Sequence, residues 1–159
     1  MTGENRRHVA ERLVEEYGPA LYGLCFVMLR SAHDAEDAVQ DTLLRWLERA
    51  PEFASPSAER AWLFTVAANR CRDRLRELKR RPTAELDELS GLCITDEDSH
   101  VLAALAALPE KLRIVMLLHC VEGYSVNETA EMLSLTPSCV KMRLKKGREL
   151  LGKEIFDGE

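Results

Sequence analysis

Between Pro137 and Arg148 every charged side chain is a cation: Lys141, Arg143, Lys145, Lys146 and Arg148. Phosphate is the natural partner of so concentrated a positive field, because each Lys or Arg set against a phosphate releases a condensed counterion. A second cluster, Arg70, Arg72, Arg74, Arg76, Lys79, Arg80 and Arg81, stands against only Asp73 and Glu77. Taken alone, it reads equally well as a solvated helix in which Asp73 faces Arg76 and Glu77 faces Arg81 at helical spacing. With the first cluster in the same chain, DNA is the better reading. A third cluster is acidic: Asp34, Glu36, Asp37 and Asp41, with Gln40 among them. The sequence offers no nucleophile paired with a base, no metal-ligand spacing and no phosphate loop. Its chemistry is therefore binding, with no cofactor or metal expected, and any catalysis belongs to a partner.

The stretch EGYSVNETAEMLSLTPSCVKMRLKKGRELL, Glu122 to Leu151, would position the first cluster. Ser125 and Glu128 form a capping box, each satisfying an orphan amide at a helix start. That helix is expected to run to about Leu133. Thr136 followed by Pro137 then supplies a second start, a capping hydroxyl and a ring whose fixed φ suits the first helical position. Ala130 is small where two helices must cross closely, and Val140 falls ten residues later on the inward face of the second helix. The spacing is that of a helix-turn-helix, with Ser134 at the turn where glycine is usual because φ is often positive there. A basic helix face is by itself most often just solvated. This one follows a capped and correctly spaced first helix, which points to DNA.

The net charge of −5 looks wrong for such a role until it is apportioned. Residues 1–80 carry 13 basic and 13 acidic side chains, residues 101–159 carry 8 and 8, and residues 81–100 carry one Arg against six acids. The excess sits in a connector, PTAELDELSGLCITDEDS, which reads as a domain boundary between two electrically balanced lobes. With 46% hydrophobic residues, either lobe can bury a core. No apolar run is long enough to span a bilayer and the polar start lacks the apolar core of a signal peptide, so the expectation is a cytoplasmic chain without membrane insertion. Cys25, Cys71, Cys93, Cys120 and Cys139 are odd in number and widely spaced, which suits buried reduced thiols better than a disulfide framework.

In chain order, Val9, Leu13, Tyr17, Leu21, Leu24 and Met28 recur at steps of three and four, predicting a long helix over about 7–29 that Gly18 and Pro19 kink or divide. Ser31 caps a second helix with a buried stripe of Ala35, Ala38, Val39, Thr42, Leu43, Trp46 and Leu47 and an acidic outer face. Acids early in a helix suit its dipole. Leu44, outside the stripe beside Arg45, suits a protein-docking surface. A third helix over about 58–81 is apolar at its start (Trp62, Leu63, Phe64, Val66, Ala67) and basic at its end. Val101, Leu102, Leu105 and Leu108 mark a fourth helix. Pro109 and Gly123 bracket a fifth, with a stripe of Leu112, Val115 and Met116 widened by Ile114, Leu117 and Leu118, and His119 as a satisfied core histidine. The tail GKEIFDGE is expected to fray. No alternating strand pattern survives, so the fold class is all-α: two small helical domains joined by an acidic linker, with boundaries at 1–81, 82–99 and 100–159.

Three segments together resemble the bacterial extracytoplasmic-function (group IV) RNA polymerase sigma factors, which keep only the second and fourth sigma domains. DAEDAVQDTLLRWL resembles the helix of that family that docks on the polymerase clamp helices, AWLFTVAANRCRDRLR its minus-ten helix, and LPEKLRIVMLLHCVEGYSVNETAEMLSLTPSCVKMRLKKGRELL its fourth domain. The resemblance implies that Asp34, Asp37, Gln40, Asp41 and Leu44 face the clamp helices of core RNA polymerase, while the fourth domain meets the flap. It implies that Asn69 holds an unpaired base in a pocket closed by the loop around Phe53 to Ser57, with Arg72 and Arg76 beside it. An amide offers the donor and acceptor that a flipped base needs, and cations serve the flanking phosphates. Lys141, Met142, Lys145 and Lys146 would face the major groove of the minus-thirty-five element, with Arg143 and Arg148 nearer the backbone. Trp62 matches a family tryptophan, read here as a core anchor.

The sequence departs from the family pattern at several points. The loop ASPS lacks a charged-and-glycine pattern, and Ser134 replaces the turn glycine. Cys139 and Met142 stand where small hydroxyl residues are common, and Gly147 where Ala is usual. Met142 offers an apolar contact in place of a hydroxyl hydrogen bond. The connector resembles the segment that threads toward the RNA exit path, where its acids, Asp96, Glu97 and Asp98 included, would mimic nucleic acid. Promoter DNA, core RNA polymerase and an anti-sigma factor are the implied partners. Two other readings stand beside this one. A sigma-like decoy that sequesters an anti-sigma factor has no need of the basic faces, and a plain helix-turn-helix regulator leaves the acidic helix unexplained.

Overall fold

The computed structural model describes residues 2–80 and 96–152, and these form two compact units split between Thr95 and Asp96. The connector residues 81–95, with Arg81 and Cys93 among them, and the tail residues 153–159 lie outside the described residues. All regular structure among the described residues is helical.

The N-terminal unit packs three helices, α1 (Gly3–Leu29), α2 (Ala32–Arg49) and α3 (Pro56–Lys79). Helix α1 is one element with Pro19 inside it, so no second helix begins there. Pro19 is exposed, while Leu13, Tyr17, Leu21 and Leu24 on either side are buried, so packing holds both halves in register across the missing amide. Ser31 and Ser55 cap α2 and α3 through their side-chain oxygens. Ala35, Ala38, Val39, Thr42, Leu43 and Trp46 are buried as the periodicity predicts, and Leu47 is half-buried. Leu63, Phe64, Ala67 and Cys71 complete the core from α3. Each buried Leu or Phe among these contributes roughly 1.5–3 kcal/mol by leaving water. A polar tie joins α1 to α3. Arg12 forks onto both oxygens of Glu59 at 3.0 and 3.1 Å, Tyr17 donates to Glu59 Oε1 at 2.8 Å, and the Arg12 guanidinium lies 5.8 Å from the centre of the Trp46 ring on α2.

The C-terminal unit comprises α4 (Asp96–Ala106), α5 (Glu110–Met116), α6 (Val126–Leu133) and α7 (Pro137–Leu151). Helix α4 starts at Asp96, so its first turn takes in backbone expected to belong to the connector. Leu117–Val121 continue α5 as a π-helical turn, which no residue pattern announced. Gly123, at φ +80°, closes it, and His119 Nδ1 donates to the Tyr124 carbonyl at 2.7 Å, so the histidine is satisfied as expected but half-buried and not in the core. Leu112, Val115, Leu118, Ala130, Leu133, Val140, Leu144 and Leu151 form the core. Cys25 and Cys71 are buried thiols. Cys120 is exposed, because the π turn carries it to the surface, and this corrects the expectation of a buried one.

Candidate nucleic-acid interface

The helix-turn-helix is built as its caps dictate. Ser125 Oγ accepts from the Glu128 amide and Glu128 Oε1 accepts from the Ser125 amide, both at 3.0 Å. These bonds hold the Glu128 carboxyl below its ordinary pKa. Thr136 Oγ1 accepts from the Cys139 amide at 3.1 Å and starts α7. Ser134 takes φ +56°, the left-handed turn that glycine usually supplies, and the Leu135 amide closes back on the Ala130 carbonyl at 2.9 Å. Ala130 and Val140 are buried at the crossing. Gly147 is the second close approach, since a Cβ there would lie 2.5 Å from Met116 Sδ.

Helix α7 thus buries Val140, Leu144, Gly147 and Leu151 and exposes Lys141, Met142, Lys145, Lys146 and Arg148, with Arg143 half-buried. At 100° per residue, the side opposite the buried one carries Ser138, Met142, Lys145 and Glu149, flanked by Lys146. Lys141 and Arg148 lie toward one edge and Arg143 toward the other. Ser138 and Glu149 are the residues on this face that the count of cations passed over. Their signal was spacing, one turn before Met142 and one turn after Lys145.

On α3, Asn69, Arg72, Asp73 and Arg76 fall at helical steps along one side. Asn69 is exposed. Arg76 bonds Asp73 at 3.1 Å, as the spacing predicts. Glu77 meets Arg74 at 2.9 Å, and its expected partner Arg81 lies outside the described residues. Both pairs are solvent-exposed and worth at most about 1 kcal/mol, so neither holds its arginine against a stronger anion. Trp62 is half-buried, not an enclosed anchor, and Phe53 of the preceding loop meets it edge to face, ring centres 5.9 Å apart. Trp62 and Asn69 stand seven positions apart on α3, about 10 Å along the helix axis. Asn69 lines a groove of about 260 Å³ between α2 and α3, shared with Asp41, Leu44, Arg45, Val66 and Arg70; Phe53 is not part of its wall.

The acidic helix presents Glu36, Asp37, Gln40, Asp41 and Leu44 to solvent, and Leu44 is 50% exposed. Asp37 meets His33 at 3.4 Å on the same helix. Two acids turn toward α3. Asp41 takes the Arg70 Nε at 2.7 Å and Asp34 takes Arg74 at 3.2 Å. The Asp41 bond holds the Arg70 guanidinium above its ordinary pKa. The Asp34 carboxylate is only 13% exposed, so much of its capacity is spent inside the unit. Among the described residues no group of His, Cys, Asp or Glu could hold a metal ion, and no helix is long and apolar enough to cross a membrane.

Residues 13–81 match Sigma-70 region 2 and residues 100–151 match Sigma-70, region 4. The chain is 31% identical over 153 residues to the ECF RNA polymerase sigma factor SigM of Mycobacterium tuberculosis, covering 92% of this chain and 77% of that protein. It is 30% identical over 166 residues to the ECF RNA polymerase sigma factor SigW of Bacillus subtilis, covering 91% and 88%. A solved structure of CnrH in complex with the cytosolic domain of CnrY superposes with a TM-score of 0.63 at 27% identity, covering 96% of this chain and 90% of that one. Two helical units carrying region 2 and region 4 in order, with relatives matched over most of their length, place the chain in the family of ECF RNA polymerase sigma factors.

Proposed function

We infer that this chain binds core RNA polymerase and directs promoter recognition, promoter melting and transcription initiation. The observation that carries the inference is the presence, on one chain, of an acidic helix with an exposed leucine in region 2 and a capped, basic helix-turn-helix in region 4. Asp37, Gln40, Asp41 and Leu44 of α2, with Asp34 at its edge, are the surface offered to the polymerase clamp helices, and region 4 the surface offered to the flap. Asn69, Arg72 and Arg76 are the residues for the separated minus-ten strand. Phe53 would act from the loop, through Trp62. Lys141, Met142, Arg143, Lys145, Lys146 and Arg148 serve the minus-thirty-five element. An anti-sigma factor is a further partner, as the resemblance to the family implies, and the similar protein CnrH was solved in complex with the cytosolic domain of CnrY. The work is recognition, not bond-making, and its place is the cytoplasm with the polymerase.

Transcription from a library of promoter-length duplexes by bacterial core polymerase, with and without the protein, tests this when transcript 5′ ends are sequenced. Initiation at sites sharing two spaced motifs is expected. Core binding without initiation would instead indicate a decoy, and duplex binding without core binding a plain regulator. Both are disfavoured by the presence of the two regions together.

A further inference from the structure

Met142 is 67% exposed, the most exposed large hydrophobic side chain among the described residues. Single exposed apolar side chains are common and ask for no reason. This one sits at the midpoint of the exposed side of α7, with cations after it and Ser138 one turn before. If α7 lies in the major groove, as the proposed function has it, Met142 is aimed at base edges and the flanking Lys141, Arg143 and Arg148 at the phosphate walls. The inference that follows rests on that reading.

A methionine side chain has no N–H or O–H to donate, and its thioether accepts only weakly. At the major-groove edge adenine, guanine and cytosine present polar groups beside small ring C–H groups, and such a chain would desolvate the polar groups without replacing their hydrogen bonds. Thymine alone presents a methyl group there, on C5, large enough to pack against an apolar side chain. We propose that Met142 is a specificity-determining residue that selects thymine at one base step of the upstream promoter element, by packing against the 5-methyl group. Ser138, with a rotatable hydroxyl, donates or accepts at the neighbouring step and discriminates less.

The test uses reconstituted holoenzyme on a promoter recovered by transcript sequencing. Each thymine of the upstream element is replaced singly by deoxyuridine, which removes the methyl and nothing else. At one position the wild-type protein should lose about threefold to fourfold in promoter affinity, the worth of one buried methyl. The Met142→Ser variant should show no loss at that position, and Met142→Leu, which keeps the apolar tip, should retain it. Equal responses of wild type and Met142→Ser at every thymine overturn the proposal, as do equal responses of the Leu and Ser variants. If scrambling the whole upstream element leaves the wild type unaffected, the groove reading itself fails and the proposal with it. Substituting so exposed a residue leaves the fold intact, so an effect on binding is not an effect on packing.

Discussion

Gly147→Ala should lower the stability of the C-terminal unit, although in an ordinary helix the same change raises it. In a helix interior alanine is favoured over glycine by about 1 kcal/mol. Against this, the new Cβ would stand 2.5 Å from Met116 Sδ and 2.7 Å from its Cγ. Met116 is only 2% exposed, so its side chain has little room to swing away. Overpacking of this kind costs about 1–3 kcal/mol, leaving a net loss of up to about 2 kcal/mol. Met116→Ala alone should cost about 2–5 kcal/mol. In that background Gly147→Ala meets no sulfur, so the helix gain of about 1 kcal/mol stands unopposed. The two changes should therefore couple by roughly 1–3 kcal/mol in a double-mutant cycle. Trp46 and Trp62 both lie in the N-terminal unit, so fluorescence reports the wrong half, and amide hydrogen exchange across α5 and α7 is the assay. If Gly147→Ala raises protection equally in both backgrounds, the close approach does not govern this crossing and the argument fails.

Ser134→Gly should stabilise the same unit by roughly 0.5–1 kcal/mol, since it relieves a side chain held at φ +56°; no change in α6 and α7 exchange would refute the strain. Glu59→Gln should destabilise the N-terminal unit by about 1.5–3 kcal/mol at neutral pH, read by urea unfolding with tryptophan fluorescence. Glu59 is held below the ordinary carboxyl value of 4.5, chiefly by the Arg12 hydrogen bonds, so its contribution is full above that pH and is lost as pH falls through the lower folded value. The gap between wild type and variant should therefore close below pH 4.5. Tyr17, pushed up to about 12 chiefly by burial and then by its bond to Glu59, should stay un-ionised until well past pH 10 in an absorbance titration, and Tyr17→Phe should delete that late step. Lys146→Ala should reduce the salt dependence of promoter binding by about one counterion while weakening all promoters alike, whereas a change confined to some sequences would make Lys146 a base reader.

Caps and periodicity were legible because their causes are local. The Ser125–Glu128 box, the Thr136 start and the buried stripe of α2 each need only a few neighbouring residues, and each stands where the spacing puts it. Partner choice was less legible. Arg74 bonds Glu77 at 2.9 Å while also reaching Asp34, forty residues earlier in the chain. Nothing in the order of residues encodes that packing of α2 on α3. The π turn escaped for a similar reason, since it depends on where Gly123 reverses the chain and on the His119 bond behind it. Trp62 stands among apolar neighbours, which predicts an enclosed side chain, whereas it is half-buried and meets Phe53 of the preceding loop edge to face.

The long-range pairs also decide how the proposed surfaces can be dissected. Asp34 and Asp41 belong at once to the acidic face of α2 and to ion pairs with Arg74 and Arg70, and the latter arginine shares the groove wall with Asn69. Removing Asp41 frees Arg70 beside the surface offered to the melted strand, so a loss of polymerase binding would arrive together with a changed DNA response, whereas Arg74 without Asp34 keeps its bond to Glu77. Gln40 and Leu44 carry no such second bond among the described residues, and Leu44 is half exposed. Gln40 also stands outside the groove wall that Leu44 shares with Asn69 and Arg70, so a positive charge placed at Gln40 should weaken core binding while leaving the Arg70 and Arg74 pairs intact. If Gln40→Lys and Asp41→Asn alter strand binding to the same degree, the two faces are coupled through packing of α2 on α3 and not through these ion pairs.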